Sequence, residues 1–315
     1  LHVRRKCCSE MFKFSFQVEP EDESPSTTSK DEEAKPESST EESKSTVKGD
    51  SDVYPCEELD FDALQSNKTA VNPEVTSSFT PGAELAIDYL NHLALLDETF
   101  TDDIVTAETD HSDLIPNRYE GGLKVWECTY DLGEFLSACE ERRAEFGGKK
   151  VLDLGCGAGL LGIEALLLGA SCVHFQDYNK DVLTKLTMVN YDLNCRSSTE
   201  SDESKEQKST PVEVKFFSGD WGSFTEKYDE TYDLILTSET IYSTQNYAKL
   251  LQLFDRKLEP SGVVYLAAKT YYFGVGGGVR LFEQAIDADG RFRHEVVWKC
   301  CSGVKREIVR ITRKL

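Results

Sequence analysis

A strand, a glycine turn and a helix follow one another near the middle of the chain, and this unit constrains the fold more than any other feature. Lys150–Leu154 is a run of mostly β-favouring residues, Gly155, Gly157 and Gly159 follow it, and Leu160–Leu168 has the composition of a helix. Such a unit begins an open parallel sheet, in which ligands bind outside the carboxyl ends of the strands.

The spacing of these glycines indicates which ligand the turn binds. A dinucleotide fingerprint needs a third glycine at the position of Leu160. Asp153 would repel a pyrophosphate, but it favours a ligand that carries an ammonium and a sulfonium group. We therefore predict S-adenosyl-L-methionine as the cofactor, with Asp153, Gly155 and Gly157 at its binding site. A turn with only a packing role is the open alternative.

Charge is divided unevenly along the 315 residues. Residues 1–110 carry a net charge of −17 and residues 111–315 a net charge of −5. Residues 19–52 have almost no large apolar side chain, so we predict that 1–110 is an acidic, largely disordered region, with one amphipathic helix at Pro81–Leu96. Such a chain is a poor candidate for direct binding to nucleic acid, but it could dock on a basic protein.

The ten cysteines do not indicate a disulfide scaffold or a metal site. The sequence has no C-x-x-C pair, and Cys156 lies inside the glycine turn. We expect free thiols in a reducing compartment, which predicts a cytoplasmic protein. No stretch approaches the ~20 apolar residues that cross a bilayer, so no membrane contact is expected.

Residues 111–315 alternate between predicted strands and helices, which is typical of a doubly wound parallel sheet. The predicted strands are 150–154, 172–177, 212–217, 232–238, 262–268, 293–299 and 306–313. The predicted helices are 135–146, 159–168, 180–194, 245–258 and 277–288. Only a turn separates the last two strands, which predicts an antiparallel hairpin at one edge. Residues 195–211 are predicted to be a mobile surface loop.

Polar residues follow the second and third strands of this sheet. Asp177 ends the second strand about twenty residues after the glycine turn, where an acid can accept hydrogen bonds from ribose hydroxyls. Gln176 and Tyr178 flank it and are expected beside the ribose and adenine. After the third strand, Asp220 could receive the adenine amino group and Trp221 could cover the base. Asp177 as a helix cap and Trp221 as a buried loop anchor remain alternatives.

The fourth strand ends in Ser238 and is followed by Glu239 and Tyr242. This pattern predicts an acid and a phenol beside the reacting methyl group. A carboxylate there could orient or deprotonate a nucleophile with a pKa near neutral, such as imidazole. A solvated loop acid is the alternative for Glu239. Tyr119–Tyr130 is predicted to fold across the mouth of the cofactor site, and Lys269–Gly278 to face the substrate.

Four motifs in order extend this prediction from a fold to a family. Glu120–Cys128, Phe175–Asn179, Leu236–Tyr242 and Tyr272–Gly278 together resemble the protein-histidine N-methyltransferases of the methyltransferase-like family. The resemblance covers residues 111–315 densely and the acidic region only loosely. It implies a seven-stranded Rossmann-like class I methyltransferase sheet and transfer of a methyl group to the tele nitrogen of a histidine in a large-subunit ribosomal protein.

The resemblance also implies which residues contact the cofactor: Val125, Trp126, Glu127, Cys128, Thr129, Gly155, Gln176, Asp177, Tyr178, Gly219, Asp220, Trp221 and Ser238. Glu239 and Tyr242 match an acid-x-x-aromatic element that faces the substrate in related enzymes. We expect Glu239 to fix the imidazole tautomer, and Tyr242 and Tyr272 to form walls around the ring.

Three other functions stay open at this stage. A lysine-directed methyltransferase of the same wider group is the first, since the residues alone do not identify the acceptor. A chaperone-like factor that keeps the cofactor pocket and holds a basic ribosomal protein is the second. A nicotinamide-dependent oxidoreductase is disfavoured by Leu160 and Asp153. For the methyltransferase we expect a monomer with a protein substrate, located in the cytoplasm with a nuclear pool as a further expectation.

Overall fold

The computed structural model describes residues 54–65, 73–82, 85–91, 94, 100–109, 112–115, 118–196 and 212–314. The strands are β1 (Glu57–Leu59), β2 (Thr76–Gly82), β3 (Leu85–Leu90), β4 (Lys150–Leu154), β5 (Cys172–Asp177), β6 (Glu213–Ser218), β7 (Tyr232–Ser238), β8 (Leu258–Lys269), β9 (Phe292–Lys299) and β10 (Arg306–Arg313).

The helices are α1 (Phe61–Gln65), α2 (Asp102–Thr109), α3 (Glu127–Leu136), α4 (Glu140–Ala144), α5 (Leu160–Leu167), α6 (Lys180–Val182), α7 (Met188–Tyr191), α8 (Trp221–Lys227), α9 (Tyr247–Lys257) and α10 (Val279–Asp289). Short 3-10 turns lie at Pro73–Val75 and Thr244–Asn246, and π-helical turns at Leu183–Thr187 and Asp192–Arg196.

The central sheet is mixed and has the strand order β1-β6-β5-β4-β7-β8-β10-β9. Strands β4 to β8 run parallel, while β10 pairs antiparallel with both β8 and β9. The predicted doubly wound sheet and its antiparallel edge hairpin are confirmed. The order reverses at β4, so the carboxyl ends of β4, β5 and β7 open a crevice at a topological switch point.

The sheet has eight strands rather than the predicted seven. The additional strand, β1, pairs antiparallel with β6, with Glu57 opposite Ser218 and Leu59 opposite Phe216. It is three residues long and begins with two acids, so its sequence has no apolar alternation that could predict a strand. The described fold therefore starts well before residue 111, the predicted start of the folded domain. The predicted disorder of 19–52 lies outside the described residues.

The predicted helix at Pro81–Leu96 is wrong. Its residues form much of a two-stranded antiparallel hairpin of β2 and β3, with Phe79 opposite Ile87. Burial alternates along both strands, and the buried side chains of Phe79, Ile87 and Leu90 join the core. A short apolar run is compatible with both the helical and the strand periodicity, and tertiary packing selects the strand here.

The predicted helix at 135–146 is also wrong in its position. Helix α3 begins earlier, at Glu127, and ends at Leu136, and α4 then follows as a separate short helix. The interruption lies at Ser137, whose hydroxyl donates a 2.6 Å hydrogen bond to the buried Glu164 of α5. A side-chain contact between two helices therefore accompanies the end of α3, and local composition did not predict it. The predicted loop over 195–211 lies outside the described residues from residue 197 onward.

Apolar side chains fill the space on both faces of the sheet. Val151, Leu234 and Leu236 pack with α3, α5 and the β2–β3 hairpin on one face. Leu152 and Ile235 pack with α8, α9 and α10 on the other. Because both faces are covered, the central strands are buried almost throughout, as parallel sheets require. Within the described ranges, no helix has both the length and the apolar composition to span a bilayer.

Candidate active site

The glycine turn after β4 forms the floor of the crevice. Gly155, Gly157 and Gly159 have φ values of +63°, +51° and +76°, a region that a side chain disfavours. A Cβ atom on Gly155 would lie 2.8 Å from the Cγ2 methyl of Thr240. The backbone N–H of Gly157 donates a 2.9 Å hydrogen bond to the Oδ2 atom of Asp177. The turn and the end of β5 are therefore held together as one unit.

A cavity of about 870 Å³, including its open mouth, lies against this turn. Its walls come from the segment before α3 and from the ends of β5, β6 and β7. Twelve of the residues predicted for the site line it: Val125, Trp126, Thr129, Gly155, Gly157, Asp177, Tyr178, Asp220, Trp221, Ser238, Glu239 and Tyr242. The structure thus brings together most of the residues that sequence reasoning selected.

Nine further residues of the wall were not predicted: Glu120, Gly121, Gly122, Lys124, Cys156, Ala158, Thr240, Asn246 and Lys249. Seven of them lie inside motifs that the sequence had singled out, so selecting every residue of those motifs would have found them. Asn246 and Lys249 lie at the start of α9, which no sequence signal connects with the cofactor. Lys249 enters the wall because its ammonium pairs with the Asp220 carboxylate.

Asp153 lies beneath the cavity rather than on its wall. Its side chain is 1% exposed, and its Oδ2 atom accepts a 2.8 Å hydrogen bond from the N–H of Gly162 in α5. Burial raises the pKa of Asp153 to about 8, so this carboxyl group is mostly protonated at neutral pH. It therefore does not provide the negative charge that its prediction assumed, and its contact in the structure is with the first turn of α5.

Four other predicted cofactor residues, Glu127, Cys128, Gln176 and Gly219, do not line the cavity either. Glu127 begins α3 and pairs with Arg306, 3.0 Å away, and Cys128 is fully buried. Gln176 donates a 2.7 Å hydrogen bond to the carbonyl of Gly219. The side chains of Glu127 and Gln176 and the carbonyl of Gly219 thus contact protein groups rather than the open space of the cavity.

Gln176 also positions the aromatic side of the cavity. Its Oε1 atom accepts a 3.0 Å hydrogen bond from the indole N–H of Trp221. Asp220 caps α8, because its Oδ1 atom accepts hydrogen bonds from the backbone N–H groups of Gly222 at 2.8 Å and Ser223 at 3.4 Å. Its Oδ2 atom faces Lys249. The indole of Trp221 is thus fixed from two sides, by β5 and by the cap of its own helix.

Asp177 does not act as the N-cap of the next helix, which was the alternative to a role in cofactor binding. The N-cap of α6 is Asn179, and no side chain caps that helix. Asp177 instead accepts hydrogen bonds from the backbone N–H groups of Gly157 and Asn179, at 2.9 and 3.1 Å. Burial raises the pKa of Asp177 to about 6 despite these bonds. It stays mostly ionised at pH 7 and faces the cavity.

Glu239 carries a buried carboxylate at the other end of the cavity. It is the only non-glycine residue with positive φ, +59°, among the described residues. Its backbone N–H donates to the carbonyl of Ala267 at 2.9 Å, which holds this backbone conformation. No described residue makes a hydrogen bond of ordinary geometry to either carboxylate oxygen, although both are shielded from solvent and the Cys128 thiol and Tyr272 phenol lie nearby. A buried acceptor without a donor is costly and marks a functional position.

Three polar groups surround this carboxylate. The Nζ atom of Lys269 lies 3.6 Å from Oε1 of Glu239. Burial, and after it the charge of Glu239, holds the pKa values of the Cys128 thiol and the Tyr272 phenol well above their usual values. Both groups are therefore neutral, and the Glu239 carboxylate on the cavity wall is paired with one cation, Lys269, which does not itself line the cavity.

Tyr242 completes the wall next to Glu239. Its hydroxyl donates a hydrogen bond to the carboxylate of Glu120, and burial, followed by this carboxylate, raises its pKa well above the usual value. The rings of Tyr242 and Tyr272 approach edge to face, with centroids 6.3 Å apart. The backbone N–H of Gly277 donates to the carbonyl of Tyr242 at 2.8 Å. The glycine-rich segment after β8 is therefore in contact with the Tyr242 side of the cavity.

This arrangement fits S-adenosylmethionine. A glycine turn that a Cβ atom would obstruct, an ionised acid at the end of β5 and an indole after β6 suit a nucleoside, and the anionic groups suit a sulfonium. The fold and the site define an S-adenosylmethionine-dependent methyltransferase with a class I α/β sheet.

Comparisons with known proteins agree with this class. A family model described as lysine methyltransferase matches residues 116–273. A histidine protein methyltransferase 1 homolog of Bos taurus is 40% identical over 265 residues, which cover 78% of this chain and 70% of that protein. The homolog of Dictyostelium discoideum is 42% identical over 210 residues, covering 65% of this chain and 62% of that protein. The chain belongs to the histidine protein methyltransferase 1 family.

A more distant relative has a different name. The EEF1A lysine methyltransferase 3 of Xenopus tropicalis is 27% identical over 177 residues, covering 56% of this chain and 72% of that protein. The relatives therefore include enzymes named for histidine and for lysine, and those named for histidine match this chain at higher identity and over more of its length.

Proposed function

We propose that the protein transfers a methyl group from S-adenosylmethionine to the tele nitrogen, Nε2, of a histidine in a large-subunit ribosomal protein. One observation carries the choice of acceptor: the buried carboxylate of Glu239 makes no hydrogen bond of ordinary geometry with any described residue and lies on the cavity wall beside Tyr242. A neutral imidazole can supply that donor through Nδ1–H. Its Nε2 atom then carries the lone pair that reacts.

The chain's own residues are proposed to do three things in this reaction. Asp177 accepts hydrogen bonds from the ribose hydroxyls and Trp221 covers the adenine, which places the nucleoside. The cofactor supplies an electrophilic methyl group on its sulfonium. Glu239 accepts the Nδ1–H bond and so fixes the tautomer in which Nε2 is unprotonated. Tyr242, which Tyr272 supports edge to face from behind the cavity wall, holds the ring plane, so that the lone pair points at the methyl carbon.

The proposed substrate class rests on charge and on the family resemblance. Residues 1–110 carry a net charge of −17, which favours a basic protein partner over nucleic acid. Large-subunit ribosomal proteins have that chemistry. We further propose that the enzyme acts as a monomer on newly made ribosomal protein in the cytoplasm, with a nuclear pool.

The proposal is tested by labelling. Purified protein and labelled S-adenosylmethionine are incubated with large-subunit ribosomal proteins from cells that lack the enzyme, and the labelled protein and residue are identified by mass spectrometry. We expect label on Nε2 of one histidine. The Gly155→Arg variant should give none, because an arginine cannot fit beside Thr240. A chaperone-like factor would support ribosome assembly equally well with this variant.

The role of Glu239 is tested separately. Glu239→Gln is expected to lower kcat about 10²-fold, because an amide does not fix the tautomer as an anion does, while the Kd for the cofactor stays unchanged. Glu295→Gln, on the exposed face of β9, is the matched control. Unchanged turnover and pH profile in Glu239→Gln would refute the orienting role.

Lysine methylation is the second candidate. The description of the matching family model and the relative from Xenopus tropicalis favour it. An acid hydrolysate of the labelled substrate separates the two, since it contains either methylhistidine or methyl-lysine. Label on lysine alone would replace the histidine proposal.

A further inference from the structure

Lys269 is the last residue of β8, and its ammonium lies next to the carboxylate of Glu239. Its side chain is only 12% exposed, and that of Glu239 only 7%. The Nζ atom lies 3.6 Å from Oε1 of Glu239, 5.1 Å from the centre of a Trp126 ring and 5.4 Å from the centre of the Tyr272 ring. Two aromatic faces and a carboxylate therefore hold the ammonium in place.

The charges around this pair come from several elements. Cys128 of α3 and Tyr272 after β8 face Glu239, and both are neutral at physiological pH because their pKa values are raised. The next acid along α3, Asp131, is bound by Arg306 of β10. The described groups facing Glu239 thus leave one negative and one positive charge in near contact. A third charge brought into this end of the cavity would meet a pair whose net charge is zero.

We propose that Lys269 is a positioning residue that sets acceptor specificity, and this inference rests on the proposed function. Its ammonium offsets the negative charge of Glu239, so that the carboxylate accepts a hydrogen bond from a neutral imidazole but gains little from a side-chain ammonium. Without Lys269, the same carboxylate would attract cations, including protonated lysine and the unreactive imidazolium.

The proposed step balances without any further reactant. Neutral imidazole donates Nδ1–H to Glu239, and its Nε2 lone pair forms the new N–C bond while the bond between the methyl carbon and sulfur breaks. The sulfur keeps that electron pair and becomes a neutral thioether. The methylated ring then releases its Nδ1 proton to solvent. Lys269 gives up no proton in this sequence, because its task is to keep the acceptor pair neutral before transfer.

The first test measures binding with two small probes. The protein is saturated with S-adenosylhomocysteine, and the Kd values of 4-methylimidazole and propylamine are measured by NMR titration at about pH 8.5, where the imidazole is mostly neutral and the amine is protonated. The native protein should prefer 4-methylimidazole. In Lys269→Met the ratio of the two Kd values should shift toward propylammonium by about tenfold. Lys269→Arg should keep the native ratio, and so should Lys299→Met, which removes an exposed lysine of β9.

The second test is the pH profile of labelling of large-subunit ribosomal proteins at saturating cofactor. In Lys269→Met the bound imidazole faces a carboxylate without a neighbouring cation, which raises the pKa of the imidazole. The low-pH side of the profile (the acid limb) should therefore move up by about one pH unit. Lys269→Arg should restore the native limb. A purely structural role of Lys269 would lower the rate at every pH and leave the limb in place.

The outcomes distinguish the two proposals. If the native protein labels no histidine, the proposed function fails, whatever Lys269 does. If it labels histidine, but Lys269→Met keeps both the native ratio of Kd values and the native acid limb, the inference about Lys269 alone is overturned. If Lys269→Met does not fold, an unchanged preference for 4-methylimidazole in Lys269→Gln overturns it equally.

Discussion

Replacing Gly155 by alanine tests why the cofactor turn needs a glycine. At φ +63° a Cβ atom costs about 1–2 kcal/mol, because the left-handed conformation brings it close to the following carbonyl. The same atom would lie 2.8 Å from Cγ2 of Thr240, and relieving such an overlap in a packed site costs about 1–3 kcal/mol more. We therefore expect Gly155→Ala to reduce the free energy of unfolding by about 2–5 kcal/mol and to weaken cofactor binding.

Two variants separate these contributions. Gly148→Ala is the control for backbone strain alone, since Gly148 has a φ of +70° and no atom within 4 Å of its added Cβ, and it should cost about 1–2 kcal/mol. Thr240→Ser removes Cγ2 but keeps the hydroxyl that contacts Thr237 at 2.8 Å. In the double variant Gly155→Ala/Thr240→Ser, we expect a favourable coupling of about 1–2 kcal/mol.

Urea unfolding monitored by circular dichroism measures these differences as midpoint shifts at unchanged slope, and calorimetry gives the Kd for S-adenosylmethionine. The contact with Thr240 would be refuted as the cause if the two substitutions were additive within about 0.5 kcal/mol. The backbone explanation would be refuted if Gly148→Ala left stability unchanged.

Three further predictions concern titration and substrate contact. Asp177 has a pKa of about 6, so cofactor affinity should weaken as the pH falls through 6, whereas Asp177→Asn should bind weakly with a flat profile in calorimetry. The pKa of Asp153 is about 8 when folded and near 4 when unfolded, so the native state loses stability as the pH rises between these values. Asp153→Asn, which still accepts from Gly162, should therefore gain stability relative to the native protein between pH 5 and pH 8 in urea titrations, and a constant difference would contradict this. Tyr271 and Phe273 expose 47% and 77% of their surface beside Tyr272, so Phe273→Ser should raise KM for the protein substrate and leave the Kd of the cofactor unchanged; unchanged KM would exclude substrate contact there.

The sequence predicts correctly those strands whose own residues show a strand pattern, without reference to distant parts of the chain. Strands β4, β5 and β7 appear at the predicted positions, because a strand covered on both faces is rich in apolar residues. Strand β10 also appears as predicted, although four of its eight residues are charged. Strand β1 has no such pattern, since its acids point away from the core and only Leu59 is buried. Its place in the sheet depends on pairing with β6, a long-range contact that local composition does not encode.

The site shows the same division. Asp177, Trp221 and Glu239 could be predicted because each follows a parallel strand, and the carboxyl ends of such strands converge. Asp153 also satisfies a sequence motif, yet it faces α5, because side chains along a strand alternate between the two faces of the sheet and do not all point toward its end. Lys249 was missed, and Lys269 was predicted only as the first residue of a substrate-facing segment, because the role of each depends on which carboxylate it meets.

The two ends of the cavity therefore differ in how their chemistry is determined. The cofactor end depends on backbone geometry, namely three glycines with positive φ and an acid that accepts a backbone N–H, so few substitutions can change it without loss of the fold. By our proposal, the acceptor end depends on the charge beside Glu239, and one side chain, Lys269, provides the balancing cation. A change at that single position would alter the preferred charge of the acceptor and leave the cofactor end intact.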